Sequence, residues 1–337
     1  MSRKRIAILI AILAGLVLIC ACGGVFAYYA MNTPLSPALS LTEQPQIVLQ
    51  PIYTEESQSP QQNFPTNTQL PQLSNCGQTG SINYLIMGTD APSGFGLNGP
   101  LAIRIVRIDF RNKTVLVFSI PRDLWVPVSG LEVYGVQQAR LWEAFQISRI
   151  NAGYSVSMAT NLFAQILLTD FGIRTDHYIV GKMMTLANII DTVGGITVQI
   201  STPYDGTRFG YHYFPAGPYY MNGLLALEYA IARSSSGQWT GVDRQTQVLQ
   251  ALYQKIFSPA VIPQVPALIP QFLNSVTTDL SVQQIMDLIC ISQMISPEKI
   301  SYAGIGLDFV TEGTDGILYP NLDLIQKEIV RLFQPSE

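Results

Sequence analysis

The sequence has little charge, few cysteines and almost no histidine. Asp, Glu, Lys and Arg make up 12% of its 337 residues, with 4 cysteines and 2 histidines. His177 and His212 are its only imidazoles, and no Cys/His cluster at metal-ligand spacing accompanies them, which argues against a zinc site of that type. The formal net charge of −4 gives no support for binding a phosphate backbone, so no nucleic-acid partner is expected. Cys20 and Cys22 fall in an apolar run. Cys76 and Cys290 lie outside it and are a candidate disulfide in an oxidising compartment, a pairing that two distant cysteines leave open.

The shortage of charge is concentrated at the start of the chain. Residues 1–5 carry Arg3, Lys4 and Arg5, and read as a basic cytoplasmic tail. Residues 6–31 contain no ionisable group other than Cys and Tyr, and a bilayer needs about 20 apolar residues, so this run is expected as a single transmembrane anchor with the bulk of the chain outside the cell membrane. Tyr28 and Tyr29 fall where an interfacial aromatic belt would lie. A cleaved signal peptide and a lipoprotein acylated at Cys22 are competing readings. The apolar residues 23–31 after Cys22 favour an uncleaved anchor. Residues 32–76 hold seven of the 21 prolines, many Gln, Ser and Thr, and only Glu43, Glu55 and Glu56 as charges. Too few large apolar side chains stand there to offset the entropy of ordering, so an extended, disordered linker is expected. Residues 77–337 are enough for one sizeable core.

Within that domain, residues 82–87 read as a buried strand ending near Asp90. Residues 101–109 and 114–120 read as a hairpin whose second strand delivers Ser119-Ile120-Pro121-Arg122-Asp123. Proline stops the strand and leaves Arg122 and Asp123 on a rigid support at its end. A guanidinium there suits a phosphate, because its planar fork binds oxyanions two bonds at a time; the plainer reading is a turn in which Arg122 and Asp123 pair with neighbours. A helix with Met158, Leu162, Phe163, Ile166 and Leu167 on one face is stopped by Gly172. Strands at 176–180 and 196–200 flank a helix at 183–190, with Gly194-Gly195 as its stop rather than a phosphate loop. Further helices carry Arg233 and begin at Asp243-Arg244-Gln245. Ser281 to Gln284 forms a capping box, and a strand near 300–305 and a helix at 322–333 close the chain. This alternation predicts an α/β domain with a sheet covered on both faces. His177, inside the strand at 176–180, is expected as a structural hydrogen-bonder.

Several stretches occur in a particular order. They are Tyr84-Leu85-Ile86-Met87-Gly88-Thr89-Asp90, Ser119 to Asp123, Arg149-Ile150-Asn151-Ala152, Asp176-His177-Tyr178, Asp191 to Ile196, Asn222-Gly223 with Ala226 to Tyr229, and Arg244-Gln245. Behind an N-terminal anchor, this ordered set resembles the LytR-CpsA-Psr family of cell-envelope proteins over roughly residues 82–257. The resemblance implies a three-layer αβα sandwich with a central mixed sheet and an apolar groove for a lipid tail. It also implies transfer of a glycopolymer from a polyprenyl-pyrophosphate lipid to peptidoglycan or another cell-wall acceptor, assisted by Mg²⁺ or Mn²⁺. Carried over residue by residue, Asp90 is the metal-binding and catalytic aspartate and Arg122 the arginine that grips the pyrophosphate. Arg233, Arg244 and Gln245 are further substrate-binding residues, and Asp123 orients Arg122.

The departures are as specific as the matches. Asn98-Gly99-Pro100-Leu101 stands where the family carries Arg-Ser-Asp-Thr, which removes an arginine and the second metal-binding aspartate. Ala91 replaces an arginine, Ile231 replaces the first arginine of an Arg-x-Arg pair, and Gln238 and Gly241 replace an Asp and an Arg. Asp109 or Asp243 are candidate replacements for the lost carboxylate, and Arg104 for a lost charge. Two function classes follow: a transferase acting on polyprenyl-linked glycopolymers, or a degenerate relative that binds such a lipid or an envelope partner without turnover.

Overall fold

The computed structural model describes residues 28–42, 76–89, 99–153, 155–232, 239–264, 269–270, 272–313 and 317–333. The expected tail and all but the last four residues of the expected anchor lie outside them. Among the described residues no helix is long and apolar enough to cross a membrane.

The domain is built on a six-stranded sheet. Its strands are β1 (Ser81–Thr89), β2 (Ala102–Asp109), β3 (Thr114–Ile120), β4 (His177–Lys182), β5 (Val276–Thr278) and β6 (Ile300–Gly304). They lie in the order β5-β4-β1-β2-β3-β6. β1, β2 and β3 are an antiparallel meander, β4 joins β1 in parallel, β6 joins β3 in parallel, and β5 runs antiparallel to β4, so the sheet is mixed. The β2–β3 turn closes on Asp109, whose carboxylate accepts from the backbone N–H groups of Arg111 and Asn112 at 2.9 Å each and from Asn112 Nδ2 at 2.8 Å. That is the Asx-type turn chemistry a short polar side chain favours.

Side chains alternate across the sheet, and each face has its own cover. On one face Leu85, Met87, Ile103, Ile105, Phe118 and Ile120 pack under helices α1 (Leu141–Asn151), α2 (Val156–Phe171) and the C-terminal helix Leu322–Phe333. On the other, Tyr84 and Ile108 pack with Phe110, Ile285 and Ile291, the last two on the helix Val282–Ser292. That helix opens with the expected capping box of Ser281 and Gln284. Its Cys290 is bonded to Cys76, 214 residues away, with the two Cα atoms 5.6 Å apart. A separate apolar cluster joins the helices α3 (Met183–Thr192), α4 (Gly223–Ile231) and α5 (Trp239–Ile256) to the ribbon formed by Ile196–Ile200 and Gly217–Met221.

The disordered linker expected over 32–76 differs in its first quarter. Residues 34–42 are docked as a strap along the domain; 43–75 lie outside the described residues. Pro34 forms an antiparallel bridge with Ser281, and Leu35 N–H donates to the Leu280 carbonyl at 3.2 Å. The Tyr178 hydroxyl donates to the Pro37 carbonyl at 3.2 Å, Ser40 N–H to Asn161 Oδ1 at 2.7 Å and Thr42 N–H to Gln165 Oε1 at 2.9 Å. Leu39 and Leu41 pack against the main core. The side-chain amides of α2 supply the acceptors that a lone extended segment lacks, which offsets its ordering entropy.

One buried carboxyl makes stability depend on pH. Asp170, on α2, is 7% exposed; one oxygen accepts from Ser129 Oγ at 3.3 Å and the other has no partner among the described residues. Burial raises its pKa to about 7, opposed by the Ser129 hydrogen bond and helped by Glu132. Below pH 4 both folded and unfolded chains carry the proton. Between about pH 4 and pH 7 only the folded chain retains it, so stability falls as pH rises through that window. Asp170→Asn is expected to remove that slope and to stabilise the protein at pH 8 by on the order of 2–4 kcal/mol. Urea unfolding at pH 4.5 and 8 measures it, and an unchanged slope would refute this account of Asp170.

Candidate functional site

The C-terminal ends of β1 and β3 and the start of β2 meet at one edge of the sheet. Pro121 ends β3, and the Leu124 N–H closes a turn on its carbonyl at 3.4 Å. The start of α1 is tied to this turn, Trp142 N–H donating to the Arg122 carbonyl at 3.0 Å. Gly99 lies against the same helix: a Cβ there would come within 2.6 Å of the Trp142 carbonyl oxygen. In the turn, Arg122 Nε donates to Asp123 Oδ2 at 3.2 Å, with the side chains 18% and 8% exposed. Asp123 thus holds the guanidinium from one edge. Arg122 thus pairs with its neighbour, as the plainer reading has it, and still reaches the surface.

A second arginine lies on β2, paired across the ladder with Ser119, three residues before Arg122. Arg104 points from β2 to the face of the sheet opposite the main core, between Ile86 of β1 and Ser119 of β3. It is 4% exposed. Its Nη2 donates to Gln245 Oε1 at 3.1 Å and to the Val242 carbonyl at 3.3 Å, both on α5. Gln245 is fixed in turn by donating Nε2 to the Leu101 carbonyl at 3.2 Å. Burial lowers the Arg104 pKa to about 10, partly offset by Asp243.

Arg244 occupies a different setting. It is buried, its Nε donates to the Tyr229 carbonyl at 2.7 Å, its Nη2 donates to the Ala232 carbonyl, and its guanidinium lies 4.3 Å above the Tyr204 ring. Those carbonyls end α4, where a cation complements the helix dipole. Arg244 therefore ties α5 to the end of α4. Arg244→Met is expected to leave the two carbonyls unsatisfied and to cost about 2–4 kcal/mol, which Lys does not restore because it lacks the fork. Thermal melting tests this; an unchanged melting temperature would overturn the tie.

Asp90 and Arg233 lie outside the described residues. Of the candidate replacement carboxylates, Asp109 is corrected: it closes the turn at the far end of β2, five residues or roughly 17 Å along the strand from Arg104. Asp243 is exposed on the first turns of α5, next to Arg244. Ile231 and Leu101, at or beside positions where the family carries charge, pack on one apolar cluster of Met183, Ala187 and Leu227. Among the described residues no group of three or more His, Cys, Asp or Glu could hold a metal ion, and Asp123 is engaged with Arg122, so these residues alone do not form a divalent-cation site.

The resemblance implied an apolar groove but no residues for its lining. On the Arg104 face, Ile86, Val106, Val115, Val117 and Ile179 are only half-buried although their strands run through the sheet, whereas Leu85, Ile103 and Ile105 on the other face are fully covered. This leaves a partly open apolar stripe, flanked by Phe272, Leu273, Ile289 and Met294 and leading towards Arg104. A polar hollow of about 600 Å³ lies at the opposite end of the sheet, beside Arg107, Asp109, Arg111 and Thr114, away from Arg122. His177, at that far end of β4, faces Asp279 Oδ2 at 3.2 Å and Gln284 at 3.3 Å, in keeping with a structural role.

The fold and site define a mixed α/β domain with cationic groups at the strand ends beside an apolar stripe. The model of the LytR_cpsA_psr family matches residues 49–328, and the chain belongs to the LytR-CpsA-Psr family. The match takes in most of the tail after residue 257, which motifs alone did not cover. Among curated relatives, polyisoprenyl-teichoic acid–peptidoglycan teichoic acid transferase TagV of Bacillus subtilis (strain 168) is 27% identical over 250 residues, spanning 71% of this chain and 59% of the relative. TagU of the same strain, which carries the same transferase name, is 23% identical over 290 residues, spanning 85% and 82%. The crystal structure of B. subtilis TagV superposes with a TM-score of 0.59 at 23% identity, covering 77% of this chain and all of that one. A structure of TagT bound to LI-WTA gives 0.54 at 19% identity, covering 76% and 92%. The structural likeness shows a shared fold.

Proposed function

We propose that this protein is a membrane-anchored transferase that moves a glycopolymer from a polyprenyl-pyrophosphate lipid to peptidoglycan or another cell-wall acceptor. The observation that carries the reading is the half-buried stripe of Ile86, Val106, Val117 and Ile179 leading towards Arg104 and the Arg122 turn. An apolar trough with cations at its end suits an amphiphile with an oxyanion head. The names of TagU and TagV, and the TagT structure with LI-WTA, support the same ligand class.

The reaction breaks the P–O–P bond of the lipid: an acceptor hydroxyl attacks the phosphorus that bears the glycopolymer, its proton leaves to solvent or base, and polyprenyl phosphate departs. Negative charge builds on that leaving phosphate, and fixed guanidinium donors stabilise it most when they are already in place. Arg122, braced by Asp123, is the side chain best situated to do this. Arg233 and Asp90 extend the proposed contact set from sequence. Mg²⁺ or Mn²⁺, bound through Asp90 and substrate oxygens, would neutralise further phosphate charge. The thinned basic cradle favours the second reading, a lipid-binding relative without turnover.

Full-length protein in detergent, given a polyprenyl-pyrophosphate glycolipid, a peptidoglycan acceptor and Mg²⁺ or Mn²⁺, tests this. Release of polyprenyl phosphate with transfer of the glycan is the expected result. Tight lipid binding without cleavage under either metal would establish the binding reading instead, and neither binding nor cleavage would refute both.

A further inference from the structure

Arg104 is an anomaly on its own strand. Its face of β2 carries Val106 and Ile108, its neighbours across the ladder are Ile86 and Ser119, and it is 4% exposed. Among the described residues no carboxylate lies within ion-pair distance of it. Its two acceptors, Gln245 Oε1 and the Val242 carbonyl, are neutral and both bind Nη2. Among the described residues its Nε–H has no partner. Native interiors seldom keep an orphaned donor on a buried cation, because its lost hydration is not replaced. Gln245, itself fixed to the Leu101 carbonyl, holds the guanidinium as a bracket would. A cation desolvated in advance, held from one side and left with a donor unused, has the makings of an oxyanion receptor.

We propose that Arg104 is a phosphate-binding residue of this site, supplying from β2 part of the positive charge absent at Ala91, Asn98 and Ile231. The ligand it takes is a pyrophosphate oxyanion, and Gln245 is its positioning residue. The choice of pyrophosphate rests on the function proposed above. The plain alternative is a strut: Arg104 would tie β2 to α5 and bind nothing.

Calorimetry on the full-length protein in detergent separates the two. The probes are farnesyl pyrophosphate, inorganic pyrophosphate and farnesol, and the variants are Arg104→Met and Arg104→Lys. The expected result is that Arg104→Met weakens both pyrophosphates about 10- to 100-fold, while Arg104→Lys weakens them less and farnesol binding is unchanged. Arg104→Met should melt no lower than wild type, since it replaces an unpaired buried charge by an apolar side chain. Equal loss for both pyrophosphates assigns the headgroup as the ligand; loss for farnesyl pyrophosphate alone ties recognition to the lipid-borne group. Wild-type affinity in Arg104→Met overturns the proposal and leaves the transferase reading standing. A lower melting temperature with farnesol binding lost in parallel establishes the strut. Failure of wild type to bind either pyrophosphate overturns both this proposal and the function it rests on.

Discussion

Replacing Arg122 by alanine is expected to lower glycan transfer by about 10²–10³-fold, the loss typical of removing one preorganised donor from a developing oxyanion. The side chain is 18% exposed, and its one described polar contact is to Asp123 beside it, so the loss should fall on the reaction rather than on folding. The rate at saturating lipid should drop more than apparent affinity does, because charge on the leaving phosphate is greatest in the transition state. Arg122→Lys should recover only part of the rate, since an ammonium keeps the charge but loses the fork. Kinetics of polyprenyl phosphate release, with melting temperatures as the folding control, decide the matter. Activity within about twofold of wild type in Arg122→Ala would remove Arg122 from the site.

The second large effect concerns stability. Cys76 is 3% exposed, and the Cys76–Cys290 bond joins residues 214 apart through the small core of Tyr84, Phe110, Leu280 and Ile291. Closing so long a loop restricts the unfolded chain strongly, and loss of such a bond costs about 2–5 kcal/mol. The double variant Cys76→Ser/Cys290→Ser should therefore melt roughly 5–15 °C lower in a domain of this size. The wild type should show the same drop under reductant and a mobility shift between reduced and non-reduced gels. A melting temperature insensitive to reductant would show that the bond contributes nothing.

Much of the architecture was legible because it is written in local patterns. The turn residues Asp109 to Lys113 between two apolar runs mark the β2–β3 hairpin, and Ser281 with Gln284 marks the start of a helix. Gly172, at φ 72°, ends α2 where expected. Three features escaped, each for a physical reason. Helix α1 carries Trp142, Glu143, Gln146 and Arg149 among its apolar residues and shows no clean face in sequence. The strap at 34–42 finds its partners at Asn161, Gln165 and Leu280, more than 100 residues away, where no local pattern can reveal them. The burial of Arg104 was also hidden. β2 alternates with an arginine on each face, Arg104 on one and Arg107 on the other, and only the arrival of α5 determines which of them loses water. The placement of Arg122 and Asp123 was legible, because it follows from a proline-terminated strand. That of Arg244 was less so, because its contacts with the end of α4 depend on how two helices meet.

The docked strap changes the mechanics of attachment. A free linker over 32–76 would let a domain wander about 37 Å from its anchor point, taking roughly 5.5 Å times the square root of its length. With Pro34 already bridged to Ser281, only two residues separate the apolar run ending at 31 from its first hold on the domain, a reach of about 10 Å. For a chain whose apolar run lies in a bilayer, the altitude of the sheet above the headgroups is then set by the strap. The distance from such a bilayer to the Arg122 turn becomes a dimension of the folded domain, insensitive to insertions or deletions between residues 43 and 75.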